Sequence, residues 1–173
     1  MKTARKYLIK ISVCLGFTAL SASCDDTVGK QPLTVDKNRL VNINKYMVDK
    51  DFDIIRHFIM RKSWQMSFSD KGYYYEIINA GNNPKAKSHD EIVCSYVLSL
   101  LDGTICYQKH NQTFIVDRSD EISGLHDAVK LLGAGDRARF IFPSHLAYGL
   151  QGDFNKIPPR SILICSIQIL TVK

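Results

Sequence analysis

Pro143-Ser144-His145-Leu146-Ala147-Tyr148-Gly149, followed by Gly152 and by Ile157-Pro158-Pro159, is the stretch on which the reading of this chain turns. Gly149 and Gly152 let the backbone turn sharply on the far side of Tyr148. The paired prolines fix φ and stiffen the entry to the next segment. There Leu163, Cys165, Ile167 and Ile169 alternate, which gives a strand one apolar face. On the N-terminal side, residues 137–142 set Ala138, Phe140 and Phe142 on one side of another strand. A turn-rich loop between two strands, holding a tyrosine between alanine and glycine, is the least this stretch specifies.

Working upstream, Ile122, Leu125, Val129 and Leu132 recur at helical spacing and stop at Gly133 and Gly135. Residues 104–107 and 113–116 read as a return strand split by the polar residues 108–112. Its partner carries Ile92, Cys94, Tyr96 and Leu98 on one face and ends at Asp102-Gly103, a hairpin turn. Residues 80–87, with Gly81 and Asn83-Pro84, read as a loop. Trp64, Met66 and Phe68 alternate, Asp70-Lys71-Gly72 turns the chain, and residues 73–79 are rich in strand formers. Five short strands with one helix inserted between the third and fourth predict an α+β domain, its helix covering one face of an antiparallel sheet.

The N-terminal part has a different organisation. Residues 1–23 combine a basic start with a short apolar run from Ile11 to Leu20, too short for a resident membrane span. Leu20-Ser21-Ala22-Ser23-Cys24 resembles a bacterial lipoprotein signal, in which Cys24 would be acylated on its thiol and become the first residue. Ser21 stands where such signals usually have an aliphatic residue; an ordinary secretory signal is the alternative. Either reading exports the protein, and the first anchors it by lipid at the cell envelope, on the outer membrane facing the periplasm or the surface. Residues 24–35 read as a flexible tether. Residues 36–63 read as a long helix capped by Asp36, with Leu40, Ile43, Met47, Ile54 and Phe58 on a stripe widened by Tyr46, Ile55 and Ile59. That stripe suits either the body of its own chain or a second copy, as a homodimer through residues 36–62. Asp49, Asp51 and Asp53 on the polar face argue against a membrane-surface helix.

The chain has 173 residues, with 23 Lys and Arg against 17 Asp and Glu. Its +6 charge invites a nucleic-acid reading, yet Lys2, Arg5, Lys6 and Lys10 all fall in the first ten residues, inside the segment expected to be removed as a signal peptide. Taking those four from 23 leaves 19 against 17, about +2, with no basic cluster interleaved with aromatics. No nucleic-acid partner is therefore expected.

Over residues 73–173 the motifs occur in a recognisable order: Ser95-Tyr96, then Asp102-Gly103, Ile122-Ser123-Gly124-Leu125, Leu132-Gly133-Ala134-Gly135-Asp136, and the Ala-Tyr-Gly and Ile-Pro-Pro elements. In this the chain resembles the FKBP family of peptidyl-prolyl cis-trans isomerases, and is similar to exported FKBP lipoproteins of the gliding-motility-associated kind. The resemblance implies a strongly bent five-stranded antiparallel sheet wrapped around a short helix, residues 64–173 forming the isomerase domain. It implies an apolar pocket that twists X-Pro amides in proline-containing peptides or unfolded exported proteins, without metal or cofactor. Carried over residue by residue, Tyr96, Leu125, Ile157 and Phe114 are walls, with Leu125 at a floor where many relatives have tryptophan. The N–H of Ile122 and the hydroxyl of Tyr148 bind substrate carbonyls.

Four pocket positions depart from that pattern. Cys106-Tyr107 replaces a Phe-Asp pair after the hairpin turn, and Cys165 stands where the last strand usually offers a phenylalanine. Glu121, before Ile122, occupies a place more often apolar or amide. Tyr107 could refill the space, or the pocket could be wider and less active, in which case the protein is a binding or scaffold module.

Two other constellations carry little. Ser123, His126 and Asp127 include triad residue types, but on a helix Asp127 faces away from the other two and no nucleophile elbow is present. Cys94, Cys106 and Cys165 lack metal spacing and, as inward strand residues, read as buried free thiols, a disulfide between two of them on neighbouring strands in an oxidising periplasm being the alternative.

Overall fold

The structure is a computed structural model that describes residues 36–173. The expected leader (residues 1–23), the expected acylation site Cys24 and the expected tether lie outside the described residues. The first described element is helix α1, Lys37–Lys62. Asp36 caps its start by accepting the N–H of Asn38 at 3.0 Å. Ser63 ends it in the left-handed conformation, φ 54°, returning its N–H to Ile59 and Met60, with Arg61 and Lys62 on the negative end of the helix dipole.

Six strands come after it, one more than the five expected: β1 Ser67–Phe68, β2 Tyr74–Asn79, β3 Glu91–Leu100, β4 Ile105–Ile115, β5 Arg137–Phe142 and β6 Leu163–Val172. They form one antiparallel sheet in the order β1-β2-β5-β6-β3-β4. The extra strand is β1, which pairs only Ser67 with Tyr75 and Phe68 with Tyr74. The expected break at residues 108–112 is instead a continuous strand. Its register with β3 shifts between Cys94 and Tyr96, and Asn111 opposite takes φ 52°, so the polar run is absorbed as a bulge. Helix α2 is short, Ser123–Val129.

Alternation gives the sheet two buried faces. Phe140 and Phe142 stack with centroids 5.7 Å apart on the α2 side, with Tyr73 edge-on to both. Gly124 lets α2 come down on this layer, since a Cβ there would meet the Phe142 ring at 2.6 Å. On the opposite face Ile141, Ile162 and Ile164 pack against Ile55 and Phe58 of α1. Only the C-terminal half of α1 is used in this way. Its buried residues are Asp51, Ile55 and Phe58, while Leu40, Ile43, Tyr46 and Ile54 of the predicted stripe remain exposed. No described helix is long and apolar enough to cross a membrane.

Candidate active site

The loop between β5 and β6 is held in shape by its own backbone. Ser144–Leu146 form a 3-10 turn after Pro143, and the Gly149 N–H closes back on the Ser144 carbonyl at 2.8 Å. Gly152 donates to the Tyr148 carbonyl at 3.2 Å, and Arg160, just past the prolines, donates to the Gly149 carbonyl at 2.9 Å. Tyr148 therefore sits inside a doubly closed turn. Gly152, φ 73°, leaves no choice of residue: a Cβ there would lie 2.2 Å from the Ile157 carbonyl oxygen.

Beneath this loop lies one apolar cluster that contains Tyr96, Cys106, Phe114, Ile122, Leu125, Ile157 and Cys165, with Tyr107 and Tyr148 packed half-buried at its margin. Strand register explains the convergence: β3 places Tyr96 opposite Ile167, and β6 places Cys165 between Leu98 and Phe140. Ile122 sits in extended conformation (ψ 143°) at the start of α2, and Leu125, one turn on, is fully buried.

Three polar groups decorate this apolar site. The Tyr96 hydroxyl donates to both carboxylate oxygens of Glu121, at 3.3 and 3.2 Å. Burial pushes the Glu121 carboxyl above its usual range, although the Tyr96 hydrogen bond and the charges of His126 and Lys109 pull the other way. Glu121 also borders a cleft of about 400 Å³ with Asp117, Ser123 and His126, so water reaches it. Burial, and then the charge of Glu121, raises the Tyr148 hydroxyl to about 12 and the Tyr96 hydroxyl further, so both remain protonated donors at neutral pH.

At the opposite margin the Tyr107 hydroxyl donates to Asp153, whose other carboxylate oxygen accepts the N–H groups of Asn155 at 2.9 Å and Ile157 at 2.7 Å. Desolvation raises the Asp153 carboxyl, but these donors outweigh it and leave it at about 2. Tyr107 thus leans toward the loop instead of refilling the space at position 106. The Cys106 thiol is covered, its Sγ 3.7 Å from the Lys156 carbonyl oxygen. Cys94, Cys106 and Cys165 are all free and buried, and burial raises their thiols, Cys94 to about 12.

Sequence reasoning missed Asp153 and put Asp51 on the polar face of α1 with Asp49 and Asp53, whereas the structure buries it beside Ile55 and Phe58. Asp153 had a local signal: a carboxylate just after Gly152 and four residues before Ile157 can accept several loop N–H groups. Asp51 had another, since 51, 55 and 58 fall on one helix face.

The sequence model of the FKBP-type peptidyl-prolyl cis-trans isomerase family matches residues 82–170. The outer membrane protein MIP of Legionella longbeachae is 32% identical over 104 residues, covering 59% of this chain and 45% of the relative. FkpA of Escherichia coli K12, an FKBP-type peptidyl-prolyl cis-trans isomerase, is 29% identical over 109 residues, covering 61% and 39%. The chain thus aligns with less than half the length of these curated relatives. Among solved structures, FkpA from Escherichia coli superposes with a TM-score of 0.64 at 24% identity, covering 78% of this chain and 64% of that one. A peptidyl-prolyl cis-trans isomerase from Pseudomonas syringae pv. tomato superposes with a TM-score of 0.62 at 25% identity, covering 75% and 95%. With more than half of its residues inside the family model and its architecture shared with those structures, the chain belongs to the FKBP-type peptidyl-prolyl cis-trans isomerase family.

Proposed function

We propose that residues 64–173 catalyse cis–trans isomerisation of X-Pro bonds in exported proteins. The observation that carries this reading is the gathering of Tyr96, Ile122, Leu125 and Ile157 in one apolar cluster beneath the Tyr148 turn. The uncatalysed barrier is roughly 18–20 kcal/mol, because resonance keeps the amide planar and charge-separated. An apolar site weakens the polar planar form more than the twisted one, and shaped walls hold the twisted ring, so the transition state is bound better than the ground state. Tyr148 and the Ile122 N–H orient the substrate carbonyls. Each 1.36 kcal/mol removed from the barrier is worth about tenfold in rate.

A second reading rests on Glu121, Cys106 and Cys165: a carboxylate at the margin and two missing rings favour a module that binds proline peptides with little turnover. An NMR exchange assay on a short X-Pro peptide separates the two. Catalysed exchange that falls about three- to tenfold in Tyr148→Phe, the worth of one hydrogen bond, supports the enzyme. Peptide binding without catalysed exchange supports the module.

We further propose that acylation of Cys24 tethers the protein to the envelope, a reading in keeping with the outer-membrane name of the Legionella relative. The exposed Leu40, Ile43 and Tyr46 of α1 support pairing with a second copy. Fatty-acid labelling lost in Cys24→Ala, and the solution mass of the mature chain, test these two points.

A further inference from the structure

Asp51 lies in α1, yet it closes a circuit around the Tyr148 turn. Its side chain is only 4% exposed. One carboxylate oxygen accepts the Ser144 N–H at 3.0 Å and the Ser144 hydroxyl at 2.6 Å. The other faces the Arg160 guanidinium at 3.9 Å. Ser144 and Arg160 are the two ends of the segment that carries Tyr148 and Ile157. They are joined a second time through Gly149, whose N–H donates to the Ser144 carbonyl and whose carbonyl accepts the Arg160 N–H. Phe52, next to Asp51, adds an edge contact to the His145 ring at 6.4 Å.

A buried carboxylate is an expensive way to pack a helix on a sheet, since an apolar side chain there would need no partners. What it supplies that an apolar residue cannot is direction: two acceptors that fix where the loop leaves β5 and where it returns to β6. We propose that Asp51 is a positioning residue of the active site, holding the Tyr148 hydroxyl over the pocket through Ser144 and Arg160. Helix α1 is thereby part of the isomerase machinery. The proposal rests on the isomerase reading for its effect on rate, but the position of Tyr148 can be read without any turnover.

The test uses the mature chain with a 3-fluorotyrosine at position 148, in wild type, Asp51→Asn, Ser144→Ala and Arg160→Met. Asp53→Asn, an exposed α1 carboxylate paired with Arg56, serves as control. The expected result is one sharp 19F resonance in wild type and control, and a broadened or split one in Asp51→Asn and Ser144→Ala. Exchange catalysis should fall about five- to tenfold in Asp51→Asn, but less than about twofold further when Asp51→Asn is added to Tyr148→Phe, because coupled residues are not additive. An unchanged 19F resonance in folded Asp51→Asn, or full additivity with Tyr148→Phe, overturns the proposal. If Asp51→Asn does not fold, Ser144→Ala decides on the same two readouts. A wild type with no catalysis would remove the isomerase reading, while the 19F spectra would still decide whether Asp51 positions Tyr148.

Discussion

Tyr107 on β4 and Asp153 in the β5–β6 loop are joined through the tyrosine hydroxyl, and the same carboxylate holds the N–H of Ile157. A strand residue thus helps fix the placement of Ile157, a wall of the proposed pocket, on another segment. Tyr107→Phe should lower kcat/KM a few-fold with unchanged secondary structure, and Asp153→Asn should lower it more, since it weakens every bond to the loop. Asp153 ionises at about 2, so its stabilising contribution is present above the unfolded-state value and lost only as pH falls through that low range. The ratio of wild-type to Asp153→Asn activity should therefore stay flat from about pH 5 to 9. A ratio that changes within that span contradicts the assignment.

Glu121 should give the pH profile its shape. Its carboxyl titrates above the ordinary value of about 4.3, because burial disfavours the charge. A folded-state value above the unfolded one means stability is fully present below the unfolded value and lost as pH rises through the folded one. On the proposed mechanism, the same ionisation would leave a charge and its water beside the twisting amide. For an uncharged peptide, kcat/KM should rise as pH falls through the Glu121 range, and Glu121→Gln should be flat at the higher level. A Glu121→Gln profile that keeps the wild-type inflection would assign it to another group.

Replacing Cys106 and Cys165 with phenylalanine should not enlarge or restore a pocket. Cys106 is 2% exposed beneath the Lys156 carbonyl, and Cys165 is fully buried between Leu98 and Phe140. Cys106→Phe and Cys165→Phe should each cost on the order of 1–3 kcal/mol, the usual penalty for overpacking. Urea titration of each variant measures this. A stabilised Cys106→Phe with raised activity would mean the loop leaves room there.

Removing α1 should uncover the second core. Ile55 and Phe58 shield Ile141 and Ile164, and Phe58→Ala alone should cost about 3–5 kcal/mol. A chain beginning at Ser63 should bind a hydrophobic dye and lose stability by more than that. A truncated chain as stable as the full one would show that α1 only rests on the surface.

β3, β5 and β6 were legible because one face of each carries an apolar residue at every second position, as at Ala138, Phe140 and Phe142. The loop was legible because only particular residues tolerate its turns. The use of carboxylates could not be read. Asp51 sits on the Ile55–Phe58 face of α1, but an aspartate there reads as solvated, because its partners, Ser144 and Arg160, are supplied from more than ninety residues further along the chain. The 108–112 run looked like a break because five polar residues lack alternation. On an edge strand with an exposed outer side nothing requires it. Tyr107 could not be oriented until Asp153 was seen beneath its hydroxyl.

The bulge at Asn111 matters beyond the sheet that contains it. An open sheet has two unpaired rims, and a flat rim is a template on which any extended chain can crystallise as one more strand. Here one rim ends in the two-residue β1, and the other, β4, is bent at Asn111 and carries Lys109 and His110 beside the bend. A protein that meets half-made, extended chains, as proposed, keeps company with the best available recruits for such growth. On that proposal, rims shaped in this way would let such a chain visit the proposed pocket and leave without being knitted into the sheet.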